Sequence, residues 1–144
     1  MRKFPEQREA IRILEIIFWG DFTMAAKKAL AVDDSAADLA NIKNILSDAG
    51  CLVVTASNGR EAIERAKLEK PAVIFLDVVM PDMDGYEACR LLAQDAATKG
   101  IPVVFVTGKG QKADKVWGEL QGAKGHVSKP YTADQIVDQL KSLT

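Results

Sequence analysis

Five short apolar runs, each followed by a stretch of helical spacing or a helix-start signal, organise the chain from Met24 onward. Leu30–Val32, Leu52–Ala56, Val73–Leu76, Val103–Val106 and His126–Ser128 have the brevity and near-continuous apolarity of strands covered on both faces. Between them, Ser35 with Asp38, Asn58 with Glu61, Asp84 with Glu87 and Thr132 with Gln135 have capping-box spacing. In such a box two side chains satisfy backbone N–H groups that a helix start leaves without partners. The first helix is predicted over residues 36–49, with Leu39, Ile42, Leu46 and Ala49 on its inner face and Gly50 as a left-handed exit. The last carries Ile136, Val137, Leu140 and Leu143 inward. The segment Asp114–Gln121 is weaker, because Gly118 costs roughly 1 kcal/mol relative to alanine inside a helix, and it is expected to be the most mobile. Strand–helix alternation of this kind predicts an α/β fold: a doubly wound, five-stranded parallel sheet with helices on both faces.

Residues 1–24 differ in character. Ile11, Leu14, Ile17 and Phe18 fall at helical spacing beside arginines and glutamates, so this extension is either a peripheral amphipathic helix or an upstream-start artefact. The domain proper is expected over residues 25–144, and a chain starting at Met24 would already hold all of it. The length, 144 residues, suits one domain. The longest uninterrupted apolar stretch near the start, Ile16–Gly20, is too short for export or for membrane insertion, which leaves a cytoplasmic location by elimination. With 19 Lys plus Arg against 20 Asp plus Glu, the chain has no basic field to hold nucleic acid. Cys51 and Cys89 have neither metal-ligand spacing nor disulfide-scaffold density and are expected to be free thiols.

In an open doubly wound sheet, ligands bind beyond the carboxyl ends of the strands. The residues there are Asp33 and Asp34 after the first strand, Asp77 after the third, Thr107 after the fourth and Lys129 after the fifth. Adjacent carboxylates repel unless something neutralises them, and Mg²⁺ (or Mn²⁺), held by carboxylates and water, is the natural solution. Asp77 is then the candidate nucleophile for a phosphoryl group, Lys129 a point charge for its oxygens, and Thr107 a hydroxyl donor. Each residue taken singly has a bland reading: an N-cap, a β-former, a solvated lysine. The five together are hard to explain that way.

Val32-Asp33-Asp34-Ser35, the run Phe75–Gly85 with its Asp-x-x-Met-Pro-x-Met-Asp-Gly core, Val106-Thr107 and Ser128-Lys129-Pro130-Tyr131 resemble response-regulator receiver domains of the CheY type over residues 25–144. The resemblance implies sheet order 2-1-3-4-5 (flavodoxin-like) and phosphorylation of Asp77 by a sensor histidine kinase or phosphotransfer domain. It further implies Mg²⁺ held by Asp34, Asp77 and the backbone carbonyl of Val79 with Asp33 helping through water, and a cis Lys129–Pro130 peptide. Catalysis would be limited to Mg²⁺-dependent self-phosphorylation and autodephosphorylation, with a downstream protein as target. Residues 113–118 with Gln121-Gly122-Ala123 are similar to regulators of twitching motility on type IV pili.

One position departs from the family. Receivers usually carry Tyr or Phe where this chain has His126, whose rotation would report phosphorylation and whose imidazole would add sensitivity to pH. Trp117, His126 and Tyr131 are candidate partner contacts, Trp117 having the plainer alternative of filling the sheet–helix interface. Asp82-Met83-Asp84-Gly85 fails as a calcium loop at Tyr86 and as a haloacid-dehalogenase-type nucleophile motif at Val79. A flavin-phosphate cradle is opposed by Asp33 and Asp34, which would repel phosphate in the absence of metal. The alternative to a phosphorylated switch is a receiver-shaped scaffold that binds partners regardless of phosphorylation.

Overall fold

The structure, a computed structural model, is described for residues 27–108 and 112–144, with residues 112–114 described for their backbone only. The expectations for residues 1–24 fall outside these. The elements are β1 (Lys28–Val32), α1 (Ala36–Asp48), β2 (Leu52–Ala56), α2 (Gly59–Glu69), β3 (Val73–Leu76), α3 (Gly85–Gln94), β4 (Val103–Thr107), α4 (Lys112–Leu120), β5 (Gly125–Ser128) and α5 (Ala133–Leu143). All strand pairs are parallel and the order is β2-β1-β3-β4-β5, as expected from the resemblance.

Period-two alternation along each strand divides the core between the two faces. Leu30 and Val32, Ile74 and Leu76, Val103 and Phe105 pack against Ala62 and Ala66 of α2 and Ala88, Cys89 and Leu92 of α3. Ala29 and Ala31, Val73 and Phe75, Val104 and Val106 pack against Ile42 and Leu46 of α1 and Ile136 and Leu140 of α5. Each fully buried Leu, Ile or Phe in these layers contributes about 1.5–3 kcal/mol from removal of its side chain from water. β3, with all of its residues buried, is the central strand whose end carries Asp77.

Two local expectations are corrected. α1 stops at Asp48 and Ala49 is exposed, so the helix buries Ile42 and Leu46 with Leu39 beside them, and not Ala49; Gly50 does take the left-handed exit at φ +97°. Of the four predicted capping boxes only Thr132/Gln135 is reciprocal. Ser35, Asn58 and Asp84 each accept the expected N–H, but Glu61 reaches one residue further back, to the Ser57 N–H at 2.8 Å, and Asp38 turns its carboxylate elsewhere. Gly118 also has a packing role in α4: it is buried, and a Cβ there would lie 2.8 Å from Phe105 Cδ2, so α4 approaches β4 only because this side chain is absent.

Candidate functional site

β1 and β3 are adjacent, and their ends are tied together by the Asp77 N–H donating to the Val32 carbonyl at 3.0 Å. This register sets the buried Asp33 and Asp77 beside each other with the exposed Asp34 at the rim; one carboxylate oxygen from each lies within 4.8 Å of the others. Asp33 is oriented by the Ser35 N–H, which donates to its Oδ1 at 2.9 Å, and Asp77 by the Val78 N–H, which donates to its Oδ1 at 2.8 Å. The loop after β3 is drawn in by the Gly85 N–H donating to the Val78 carbonyl at 2.8 Å. Gly85 is required there, since a Cβ would collide with the Asp77 carbonyl oxygen.

Lys129 arrives from the end of β5, its N–H donating to the Thr107 carbonyl at 2.8 Å, and the Lys129–Pro130 peptide is cis, as the resemblance implies. Its ammonium donates to Asp33 Oδ2 and Asp38 Oδ2, both at 2.9 Å, and stands 3.8 Å from Asp77 Oδ2. Thr107 is fully buried at the end of β4. Asp33, Asp34, Asp77, Thr107 and Lys129 therefore share the carboxyl edge of the sheet, as the strand-end argument expects. Val79 follows Asp77 by two residues with its side chain exposed; the role of its carbonyl rests on the resemblance.

Burial, then the neighbouring charge of Asp33, push the Asp77 carboxyl up to about 6, with Asp34 adding to the effect and Lys129 and the Val78 N–H opposing it. For Lys129, burial lowers its affinity for the proton, but the hydrogen bonds to Asp38 and Asp33 and the charges of Asp77 and Asp33 outweigh that and hold it above its usual value. Asp33, Asp38 and Asp77 thus stand around one ammonium, with Asp34 adding a fourth carboxylate to the cluster at its rim. The deficit of positive charge is what a hard, oxygen-seeking dication would fill. Asp33, Asp34 and Asp77 fit such an ion in chemistry and in position.

The candidate partner contacts lie on different elements of the fold. Trp117 is half exposed, its ring edge-on to Tyr86 at 6.3 Å, and Tyr86 in turn is edge-on to Phe105 at 5.2 Å. Trp117 thus caps an aromatic row leading from the sheet, and Val116 and Leu120 are exposed beside it. Tyr131 packs into the opposite face, where the Asn41 Nδ2 of α1 donates to its hydroxyl at 3.3 Å. Trp117 and Tyr131 thus anchor to different core layers. His126 lies on the edge strand, half-buried, with Nε2 shut off from water and without a hydrogen-bond partner among the described residues. It borders a cleft of about 300 Å³ lined by Gln135, Asp138 and Gln139 of α5. Cys51 and Cys89 are free, and burial pushes the Cys89 thiol up to about 11, which keeps it protonated and inert.

Asp38 is the site residue that sequence reasoning missed. Its position three residues after Ser35 had a sufficient explanation as a cap, and its contact with Lys129 spans 91 residues.

Residues 29–141 match the family described as the response regulator receiver domain. The chain is 38% identical over 116 residues to protein PilH of Pseudomonas aeruginosa, covering 81% of this chain and 96% of that one. It is 30% identical over 115 residues to protein PilG of the same organism, covering 80% and 85% respectively. The solved structure of the chemotaxis protein CheY4 of Vibrio cholerae superposes with a TM-score of 0.77 at 33% identity, covering 82% of this chain and 98% of that one.

Proposed function

We propose that this chain, which belongs to the response regulator receiver domain family, accepts a phosphoryl group on Asp77 from a sensor histidine kinase or phosphotransfer domain and switches the binding of a downstream protein. The observation that carries this reading is the buried Asp77 beside Asp33 and Asp34 with Lys129 Nζ 3.8 Å away. With its carboxyl at about 6, Asp77 is mostly ionised at neutral pH and so available as a nucleophile.

In the transfer, a carboxylate oxygen of Asp77 forms a bond to the donor's phosphorus as the P–N bond of a phosphohistidine breaks, and the departing imidazole nitrogen takes up a proton. Lys129 donates to a phosphoryl oxygen, and Thr107, at the neighbouring strand end, supplies a hydroxyl to another. Asp33, Asp34 and Asp77 would hold Mg²⁺ or Mn²⁺, which when bound offsets phosphoryl charge. Water attack at phosphorus then breaks the bond to Asp77, releasing inorganic phosphate and restoring the carboxylate; beyond this self-directed chemistry the chain is not an enzyme.

Phosphorylation replaces the single negative charge of the Asp77 carboxylate with about −1.5 to −2 charges carried by the phosphoryl group, drawing on Lys129 and Thr107 and through them on β4, β5 and α4. The responding surface contains Trp117 and His126, with Tyr131 answering on the α1 side. Control of motility in a chemotaxis-like system is supported by the similarity of residues 113–123 to twitching-motility regulators and by the likeness to a chemotaxis protein. No described helix is long and apolar enough to cross a membrane.

Incubation with acetyl phosphate and Mg²⁺ tests the reading: a single phosphoryl adduct is expected by intact mass, absent from Asp77→Asn. An adduct that persists in the mutant would relocate the chemistry, and none in the wild type would favour the scaffold.

A further inference from the structure

We propose that Asp38 is a positioning residue for Lys129, holding its ammonium toward α1 so that a phosphoryl group on Asp77 must compete for it; this deepens the phosphoacceptor reading and rests on it. Ser35 Oγ already accepts the Asp38 backbone N–H, at 3.3 Å, so the cap needs nothing from the Asp38 carboxylate. At the equivalent position of α5, Gln135 returns its side chain to the Thr132 N–H at 2.8 Å and completes the box. Asp38 instead accepts from Lys129 Nζ at 2.9 Å, across 91 residues of chain.

An ammonium has three donors. Two are spent here on Asp33 and Asp38, while Asp77 Oδ2 at 3.8 Å is beyond hydrogen-bond reach. The two holding carboxylates are unlike. Asp33 belongs to the trio that fits a divalent cation, so its hold on Lys129 weakens whenever a cation is bound. Asp38 lies outside that trio and keeps its charge for Lys129 in both conditions. Its side chain is 48% exposed, so the pair is partly screened and can be broken by a phosphoryl group. The Asn41–Tyr131 hydrogen bond fastens the same loop to the same helix, so release of Lys129 from Asp38 would loosen the attachment of the β5–α5 loop to α1.

The test is the affinity for beryllofluoride with Mg²⁺, a phosphoryl mimic, measured by calorimetry for wild type, Asp38→Asn, Asp38→Glu, Lys129→Met and the Asp38→Asn/Lys129→Met double variant. Asp38→Asn is expected to bind about two- to fivefold more tightly, Asp38→Glu to behave as wild type, and Asp38→Asn to have no effect when Lys129 is already Met. Unchanged or weaker binding by Asp38→Asn, or the same gain without Lys129, would overturn the proposal. In the ligand-free protein, the Lys129 ammonium NMR signal should shift on Asp38→Asn and not on Asp38→Glu, and a signal indifferent to Asp38→Asn would refute the contact itself. A wild type that binds no beryllofluoride would remove the phosphoacceptor reading and this proposal with it, while the Lys129 signal would still show whether the contact exists.

Discussion

Lys129 Nζ stands 3.8 Å from Asp77 Oδ2, a distance at which it senses the carboxylate's charge without a hydrogen bond, two of its three donors holding it at 2.9 Å from Asp33 and Asp38. Asp77 is therefore a buried carboxylate whose compensation is incomplete. Two consequences are open to measurement, one in stability and one in metal binding.

The first concerns pH. The Asp77 carboxyl is raised from 3.8 to about 6 in the folded protein, so between those values the folded state binds more protons than the unfolded state. Stability from this group is complete below 3.8 and is lost as pH rises to about 6. Asp77→Asn removes that loss, and without divalent cation at pH 7 it should be more stable than wild type by about 1–2 kcal/mol. Thermal melts between pH 4 and 8 should show the two profiles diverging through this window, and parallel profiles would refute the burial argument.

Mg²⁺ should reverse that ordering by stabilising wild type through linkage to folding while leaving Asp77→Asn nearly unmoved. Lys129→Ala should not weaken Mg²⁺ binding, since it removes the competitor for Asp33 and leaves the carboxylate trio in place. Calorimetry that found Lys129→Ala markedly weaker for Mg²⁺ would mean that the lysine organises the metal site.

Gly118 separates local propensity from packing. Propensity alone predicts that Gly118→Ala gains roughly 1 kcal/mol. The 2.8 Å approach to Phe105 Cδ2 predicts instead a net loss of about 1–2 kcal/mol, as overpacking displaces α4 from β4. Denaturant unfolding decides by the sign of the change alone.

Gly85→Ala should be more damaging, because the obstacle is backbone and cannot rotate away: the Cβ meets the Asp77 carbonyl oxygen and Val78 Cα. A loss above about 2 kcal/mol, together with reduced acetyl phosphate labelling, is expected from stability and mass measurements. Normal labelling in this variant would show that the loop after β3 can move without harm to the phosphoacceptor.

What the amino-acid order determined by itself is what local physics encodes. Apolar runs short enough to be strands, side chains able to accept the first N–H groups of a helix, and the residue ending each run are legible within windows of a few positions. The parallel topology then sends Asp33, Asp34, Asp77, Thr107 and Lys129 to one edge of the sheet. Tertiary structure decided matters that depend on partners distant in sequence. Asp38 satisfied a local motif, so nothing nearby announced that its carboxylate serves Lys129, 91 residues away. Gly118 looked like a helix defect until Phe105 occupied the space its side chain would need. Tyr131, three residues beyond the end of β5, meets Asn41 only because α1 packs against the same side of the sheet. Propensities and caps act over one turn of chain, whereas charge pairing and steric fit depend on which surfaces the fold brings together.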